Sequence, residues 1–543
     1  MRYLFCRLRS LLFMPLLILP LISCGGGGSG SSEDSSTQKD SACLDVNYTP
    51  IEEFIEVAPD PLIYGQWHLE ALGILSDSWD WLVDSSGKGV QIAVLDNNLD
   101  YEHEDLYDNI NHDQSCRFQD SKSLNKDTHA TEVAGVIAAV RDNNLGIVGV
   151  APEANIIGFN ILRTDRVISY WNIALGGEGS VQAANVDIFN QSFTQTNITT
   201  PLAYNLTTDA ALSYGTEFRR NGKGALYFKA AGNHFDAQES CFETLRELPL
   251  ESANMDPDNN IPYNIVVGSA TEQGEKACYS ASGSSLMFVA PSHYIRTTTD
   301  NNNYVYFSGT SAATPIASGI AALILEKRPD LGWRDVRHIM LSTAETIDTG
   351  ITQKILTLAD DDYIAEPSWQ TNGAGYSFHN WYGFGQINAT QSIDAAEHYS
   401  TNLPPQQVLS SDSITVNSPI PDFQTSGVSS TLTLHQGLTV ETAQLSIQLS
   451  HTEPSELSIE LISPSGSRSV LMTADNIYST QSNDTFELVL ASNLFYGESA
   501  AGQWQVKVVD TQATEDTQTM EDSTDADNTH GQLLSWSLNI YGY

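Results

Sequence analysis

The sequence predicts a doubly wound α/β domain with a mainly parallel sheet, followed by an all-β sandwich domain. Three observations carry this. Between residues 45 and 400, short runs rich in β-branched and apolar residues alternate with helical patterns. A Pro-containing stretch, Asn402-Leu403-Pro404-Pro405, then interrupts the chain, and helical periodicity vanishes beyond it. From residue 410 to 543 the runs alternate apolar and polar, with turn residues between them.

The chain opens on Arg2, Arg7 and Arg9 around an apolar run, Leu11–Ile22, too short for a comfortable membrane span. The run ends in Leu21-Ile22-Ser23-Cys24 and four glycines. This resembles a bacterial lipobox. It predicts a signal peptide over 1–23, lipidation of Cys24, and anchoring at the cell envelope. Gly25 rather than Asp after the cysteine implies the outer membrane. Residues 24–44 hold few core formers and read as a Gly/Ser tether, with a reach of roughly 25 Å for about 20 residues.

The net charge of −42 argues against nucleic acid or an anionic lipid surface as partner, and allows calcium. Setting aside Cys6 and Cys24, the exported part carries Cys43, Cys116, Cys241 and Cys278. Four cysteines allow three pairings. Cys43–Cys116 with Cys241–Cys278 is the favoured one.

In the α/β part, strands are expected over Val90–Leu95, Asn155–Leu162, Val186–Phe193, Ala225–Ala230 and Ile265–Ala270. Helices are expected over Glu132–Val140, Thr208–Arg219, Pro315–Lys327 and Trp333–Thr343. Ligands of such sheets bind at the carboxyl ends of the strands. There the sequence places Asp96, then His129 in Thr-His-Ala-Thr, then Asn233 in Ala-Ala-Gly-Asn, then Ser311 in Gly-Thr-Ser-Ala-Ala-Thr-Pro. A carboxylate can orient an imidazole, and an amide can donate to an oxyanion. A serine at a helix start sits beside unpaired N–H groups.

The order Asp, His, Asn, Ser, each in its frame, resembles the subtilisin-like serine proteases (peptidase S8). Asp60-Pro61-Leu62, Gln66-Trp67-His68-Leu69, Trp333–His338 and Asn380–Gly385 match the kexin/furin branch, over about residues 60–395. The resemblance implies a serine endopeptidase with Asp96, His129 and Ser311 as triad and Asn233 in the oxyanion hole. It also implies Ser192 and Phe193 as the strand that pairs with peptide substrate. It further implies a calcium site from Asp60, Asp105, the Asn143 side chain and the carbonyls of Val140, Leu145 and Ile147. Leu457–Gly466, Gly502-Gln503-Trp504 and Ser535–Leu538 resemble the P (Homo B) domain, which implies a jelly-roll over 410–543.

The chain departs from the family in places. Ala130 stands where the family has Gly, so its methyl is expected to narrow the cleft or shift the backbone. Thr194 replaces Gly near the pocket entrance. Gln195–Thr199 carries no carboxylate, and the position expected for the pocket acid is Thr244, so selection for paired basic residues is not predicted. The about 35 residues between Cys24 and Asp60 predict folding without a prodomain of the usual length. The expected protein is a monomeric, envelope-tethered protease of protein or peptide substrates. The competing reading is a catalytically inactive member of the fold that binds a surface.

Overall fold

The alternation of strand and helix resolves into one six-stranded parallel sheet. The computed structural model describes residues 39–46, 48, 59–76, 78, 80–118, 128–163, 167–236, 247–479, 485–513 and 531–543. The signal peptide, Cys24, the tether up to residue 38, Cys241, Thr244 and the acidic run 514–527 lie outside them. The strands are β1 (Gln91–Leu95), β2 (Asn155–Phe159), β3 (Ile188–Gln191), β4 (Leu226–Ala230), β5 (Asn264–Ala270) and β6 (Leu286–Pro291). They are ordered β2-β1-β3-β4-β5-β6, all parallel. The winding reverses between β1 and β3, which makes their carboxyl ends the switch point where ligands bind. β6, LMFVAP, is apolar along its length and has no period to separate it from a buried helix segment.

Side chains alternate between the two sheet faces. Ile92, Val94, Ile188, Leu226 and Phe228 join one core, with helices α1 (His129–Ala138) and α4 (Thr310–Lys327). Ala93, Leu95, Phe189 and Tyr227 join the other, with α2 (Ile168–Ala174) and α3 (Leu206–Gly222). Asn205 caps α3 by accepting from the Thr208 N–H, and helical geometry fails at Arg219–Asn221.

Three helices start earlier than their periodicity predicts, α3 by two residues, at Leu206. α1 begins at His129 itself, because polar residues of a first turn carry no apolar signal. α4 begins at Thr310, five residues before Pro315, so Ser311 lies inside the first helical turn rather than in a turn before it. Proline there removes only the N–H that would reach the Ser311 carbonyl. From Ala312 to Leu325 this helix is buried throughout. A Cβ at Gly319 would fall 2.7 Å from Val150, so the glycine sets how closely the two segments pack. A hairpin, β7 (Ile295–Thr299) and β8 (Asn303–Phe307), lies on the first turns of α1. A Cβ at Gly135 would fall 2.2 Å from Thr298 Oγ1.

The second part is antiparallel throughout. One sheet comprises β9 (Gln407–Ser410), β10 (Ile414–Pro419), β12 (Val440–His451), β15 (Thr485–Ser492) and β17 (Gly531–Gly542). The other comprises β11 (Val428–Leu434), β13 (Leu457–Ile462), β14 (Arg468–Met472) and β16 (Gly502–Asp510). Leu445, Ile447 and Trp536 of the first meet Leu461, Trp504 and Val506 of the second in one buried core.

Residues Gln38–Tyr543 form one compact unit, and the two parts are tied by buried polar groups. Arg334 and Arg337, on α5 (Trp333–Ser342), both engage the fully buried Glu441 of β12. Arg334 binds both carboxylate oxygens, at 2.8 to 3.0 Å. The predicted linker is pinned, with the Leu403 N–H donating to Asp335 at 2.8 Å. Ala491 of β15 accepts from Asn254 and Ser284 and donates its N–H to Asn260. The Cys43–Cys116 disulfide is formed as expected. Cys278 is also disulfide-bonded, while Cys241 lies outside the described residues. Among the described residues, no helix is long and apolar enough to cross a membrane.

Candidate active site

The four residues singled out in the sequence sit at the carboxyl end of the sheet or on helices that begin there. Asp96 follows β1 and is fully buried. His129 Nδ1 lies 2.9 Å from both of its carboxylate oxygens. The Asn97 N–H donates to Asp96 Oδ1 at 2.7 Å, which fixes the carboxylate plane. The edge of Phe307 meets the His129 ring at 5.5 Å, so the imidazole is held on two sides.

Ala130 is 1% exposed and belongs to the core, so its methyl does not narrow the cleft. Its N–H donates to Asn97 Oδ1 at 3.1 Å.

Asn233 follows β4. Its Oδ1 accepts from the Thr310 N–H and the Thr310 hydroxyl, both at 2.9 Å. A backbone N–H can only donate, so the oxygen must face Thr310 and the NH₂ group must face away. Gly309 is required here, with φ at 108° and an added Cβ 3.2 Å from Asn233 Nδ2. Its N–H donates to the Tyr279 hydroxyl at 2.9 Å. Burial raises the pKa of that phenol, so it stays neutral.

Ser311 Oγ donates to the Ser192 carbonyl at 3.0 Å, and Ser192 Oγ donates to the Ser311 carbonyl at 3.0 Å. Ser192 follows β3, and Phe193 packs edge-on against Trp171 at 5.5 Å. The supporting roles of Thr310, Asn97, Phe307 and Tyr279 escape sequence reasoning. Each rests on hydrogen bonds or ring contacts to residues distant in the chain or on a neighbour's backbone, which no motif encodes.

Of the expected cation ligands, Asp60, Asp105 and Asn143 come together. Asp60 and Asp105 are 1% and 0% exposed. Burial pushes Asp60 up to about 6. Burial, with the Asp60 charge beside it, pushes Asp105 up to about 8. No ion pair reaches either among the described residues. The Asp142 and Asn143 N–H groups donate to Asp60, and the Ile147 N–H to Asp105. The Val140 N–H donates to the Asp105 carbonyl. Tyr304 covers this site and leaves no room for a side chain at Gly146. Two buried, neighbouring carboxylates fit a hard cation, while the loop groups that face them are N–H donors rather than the expected carbonyls. Asn143 departs from that role: its Oδ1 accepts from the Leu145 N–H and its Nδ2 faces Asp105, both at 2.9 Å. Among the described residues no three His, Cys, Asp or Glu gather as metal ligands, so the fit rests on these two carboxylates.

The subtilase family model matches residues 87–385, and the proprotein convertase P-domain model matches residues 440–540. An extracellular serine protease of Aeromonas sobria is 31% identical over 84% of each chain. Protease KEX1 of Kluyveromyces lactis is 29% identical over 89% of this chain and 60% of its own. The crystal structure of the Aeromonas sobria serine protease superposes with a TM-score of 0.77 at 28% identity, covering 93% of this chain and 99% of that one. The same protease has been crystallised in complex with a chaperone. With more than half of its length matched and both halves of the architecture in place, this chain belongs to the subtilase family and is a serine endopeptidase with a proprotein-convertase P-domain.

Proposed function

We propose that Asp96, His129 and Ser311 are the catalytic triad and that Asn233 donates to the oxyanion. The carrying observation is His129 Nδ1, 2.9 Å from both oxygens of the buried Asp96. That bond fixes the tautomer whose Nε2 carries the lone pair of a base. Ser311 Oγ turns from the Ser192 carbonyl to His129, loses its proton to Nε2 and attacks the scissile carbonyl. Asp96 stabilises the imidazolium without itself being protonated. The Ser311 N–H belongs to a first turn with no intrahelical acceptor. Together with Asn233 Nδ2 it receives the tetrahedral oxyanion. His129 then returns its proton to the leaving amine, and water hydrolyses the acyl-enzyme by the same route. Ser192 and Phe193 pair with the extended substrate as an added strand.

In this reading Asp60 and Asp105, with carbonyls of the 140–147 loop, hold calcium, and Asn143 turns its amide to join them. The ion supplies countercharge to the loop and takes no part in the reaction. Cys24 carries a lipid that tethers a monomeric enzyme to the bacterial outer membrane, acting on protein or peptide substrates.

The test is peptide hydrolysis by Ser311→Ala and His129→Ala. Each is expected to lose about 10⁶ in turnover. Folded variants that retained the wild-type rate would overturn the assignment.

A further inference from the structure

Lys229 is the one charged residue in β4, LYFKA, and it is 1% exposed. A buried ammonium is tolerated only where it is paired and hydrogen-bonded. Here Nζ donates to the Phe193 carbonyl at 2.7 Å and to Asp256 Oδ2 at 3.1 Å. It also lies 5.1 Å from the Phe193 ring centre. Asp256 Oδ2 accepts from the Gln195 N–H at 3.0 Å, and Oδ1 accepts from the Asp258 N–H. Lysine and aspartate therefore grip both ends of Phe193-Thr194-Gln195, directly after Ser192. Both side chains line a cavity of about 500 Å³ alongside Trp171, Phe193, Thr194 and Gln195.

The absence of an acid from Gln195–Thr199 thus misstates this wall. A carboxylate does abut the segment, supplied by Asp256 from a later loop. An internal cation already occupies it. That loop is seated by the second domain, through Asn254 and Asn260 on Ala491.

We propose that Lys229 is a specificity-determining residue: it satisfies Asp256 from within and withholds that carboxylate from basic substrate side chains. A lysine or arginine of a substrate would have to displace a tethered ammonium that already has its hydrogen bonds. The cavity consequently offers a basic side chain no counterion in Asp256. Asp258 also lines it and is unchanged in every comparison below. The inference rests on Ser192–Phe193 being the substrate-pairing segment.

The test uses the full chain and peptides carrying Lys, Met or Glu in turn at each of the four positions before the scissile bond. In Lys229→Met, kcat/KM for Lys relative to Met is expected to rise at least tenfold at one position. The gain should vanish in Lys229→Met/Asp256→Asn. The reciprocal variant Asp256→Asn leaves the cation without its partner, and is expected to raise kcat/KM for Glu relative to Met at the same position. It decides the matter if Lys229→Met does not fold. Unchanged ratios in a folded single variant, or a gain that survives in the double variant, overturn the proposal. Fluorophosphonate labelling of Ser311 in the same samples separates the two readings. Labelled enzyme with unchanged ratios refutes this inference alone, whereas folded wild-type protein that takes no label refutes the catalytic assignment.

Discussion

Ser192 and Ser311 exchange two hydrogen bonds, each hydroxyl donating to the other's carbonyl at 3.0 Å. The exchange follows from Pro315. A helix residue four positions on would ordinarily donate to the Ser311 carbonyl, but proline has no N–H. The Ser192 hydroxyl takes that place and locks the proposed substrate-pairing segment to the helix that bears the proposed nucleophile. Ser192→Ala should leave the Ser311 carbonyl unsatisfied and cost about 1–3 kcal/mol of stability in denaturant unfolding. It should also lower kcat/KM several-fold, because segment and nucleophile lose their common register.

Asn233→Ala should lower kcat by about 10²–10³ with little change in KM, since an oxyanion donor acts only in the transition state. Thr310→Val removes the hydroxyl that helps aim Asn233 and keeps the N–H that does the same. Its loss in kcat should be smaller, about tenfold, and steady-state kinetics on one peptide distinguish the two.

Glu441→Gln should destabilise the whole chain by about 3–5 kcal/mol, because it leaves Arg334 and Arg337 buried without their shared anion. Denaturant unfolding followed separately in the two parts should show both weakened, since the pair spans them.

Glu366 is buried, and burial pushes its carboxyl up to about 8. Its folded pKa thus lies above the unfolded value, so its contribution is complete at low pH and is lost as pH rises. The loss runs from about pH 4.5 to 8, at up to about 1.4 kcal/mol per pH unit. Glu366→Gln should remove this slope, giving a Tm at or above wild type at pH 8 and little difference at pH 4.5.

Chelation should lower Tm if the Asp60/Asp105 site holds calcium. Saturation at about 100 times Kd is worth about 2.7 kcal/mol. Asp60→Asn/Asp105→Asn should abolish the difference between chelated and calcium-loaded samples in differential scanning calorimetry. A wild-type Tm indifferent to chelator would remove the ion from the account.

Much of the sheet and of the site was legible because Asp96, His129, Asn233 and Ser311 each sit in a local frame whose small residues are dictated by packing. The helix starts were less legible, since polar first-turn residues such as His129 and Thr310 add nothing to an apolar stripe. Of the two outcomes expected for the Ala130 methyl, a narrowed cleft does not occur, because a one-residue comparison does not reveal which way a Cβ points. Lys229 and Asp256 were invisible as a pair. They are joined only by folding, and each alone reads as an ordinary strand or turn residue.

The most direct measurement is stoichiometric labelling of the folded, calcium-loaded chain with a fluorophosphonate, followed by mapping of the modified residue. One label per chain is expected, on Ser311, and none on His129→Ala or on unfolded protein. A folded chain that takes no label, or takes it on another residue, would contradict the Ser311 assignment.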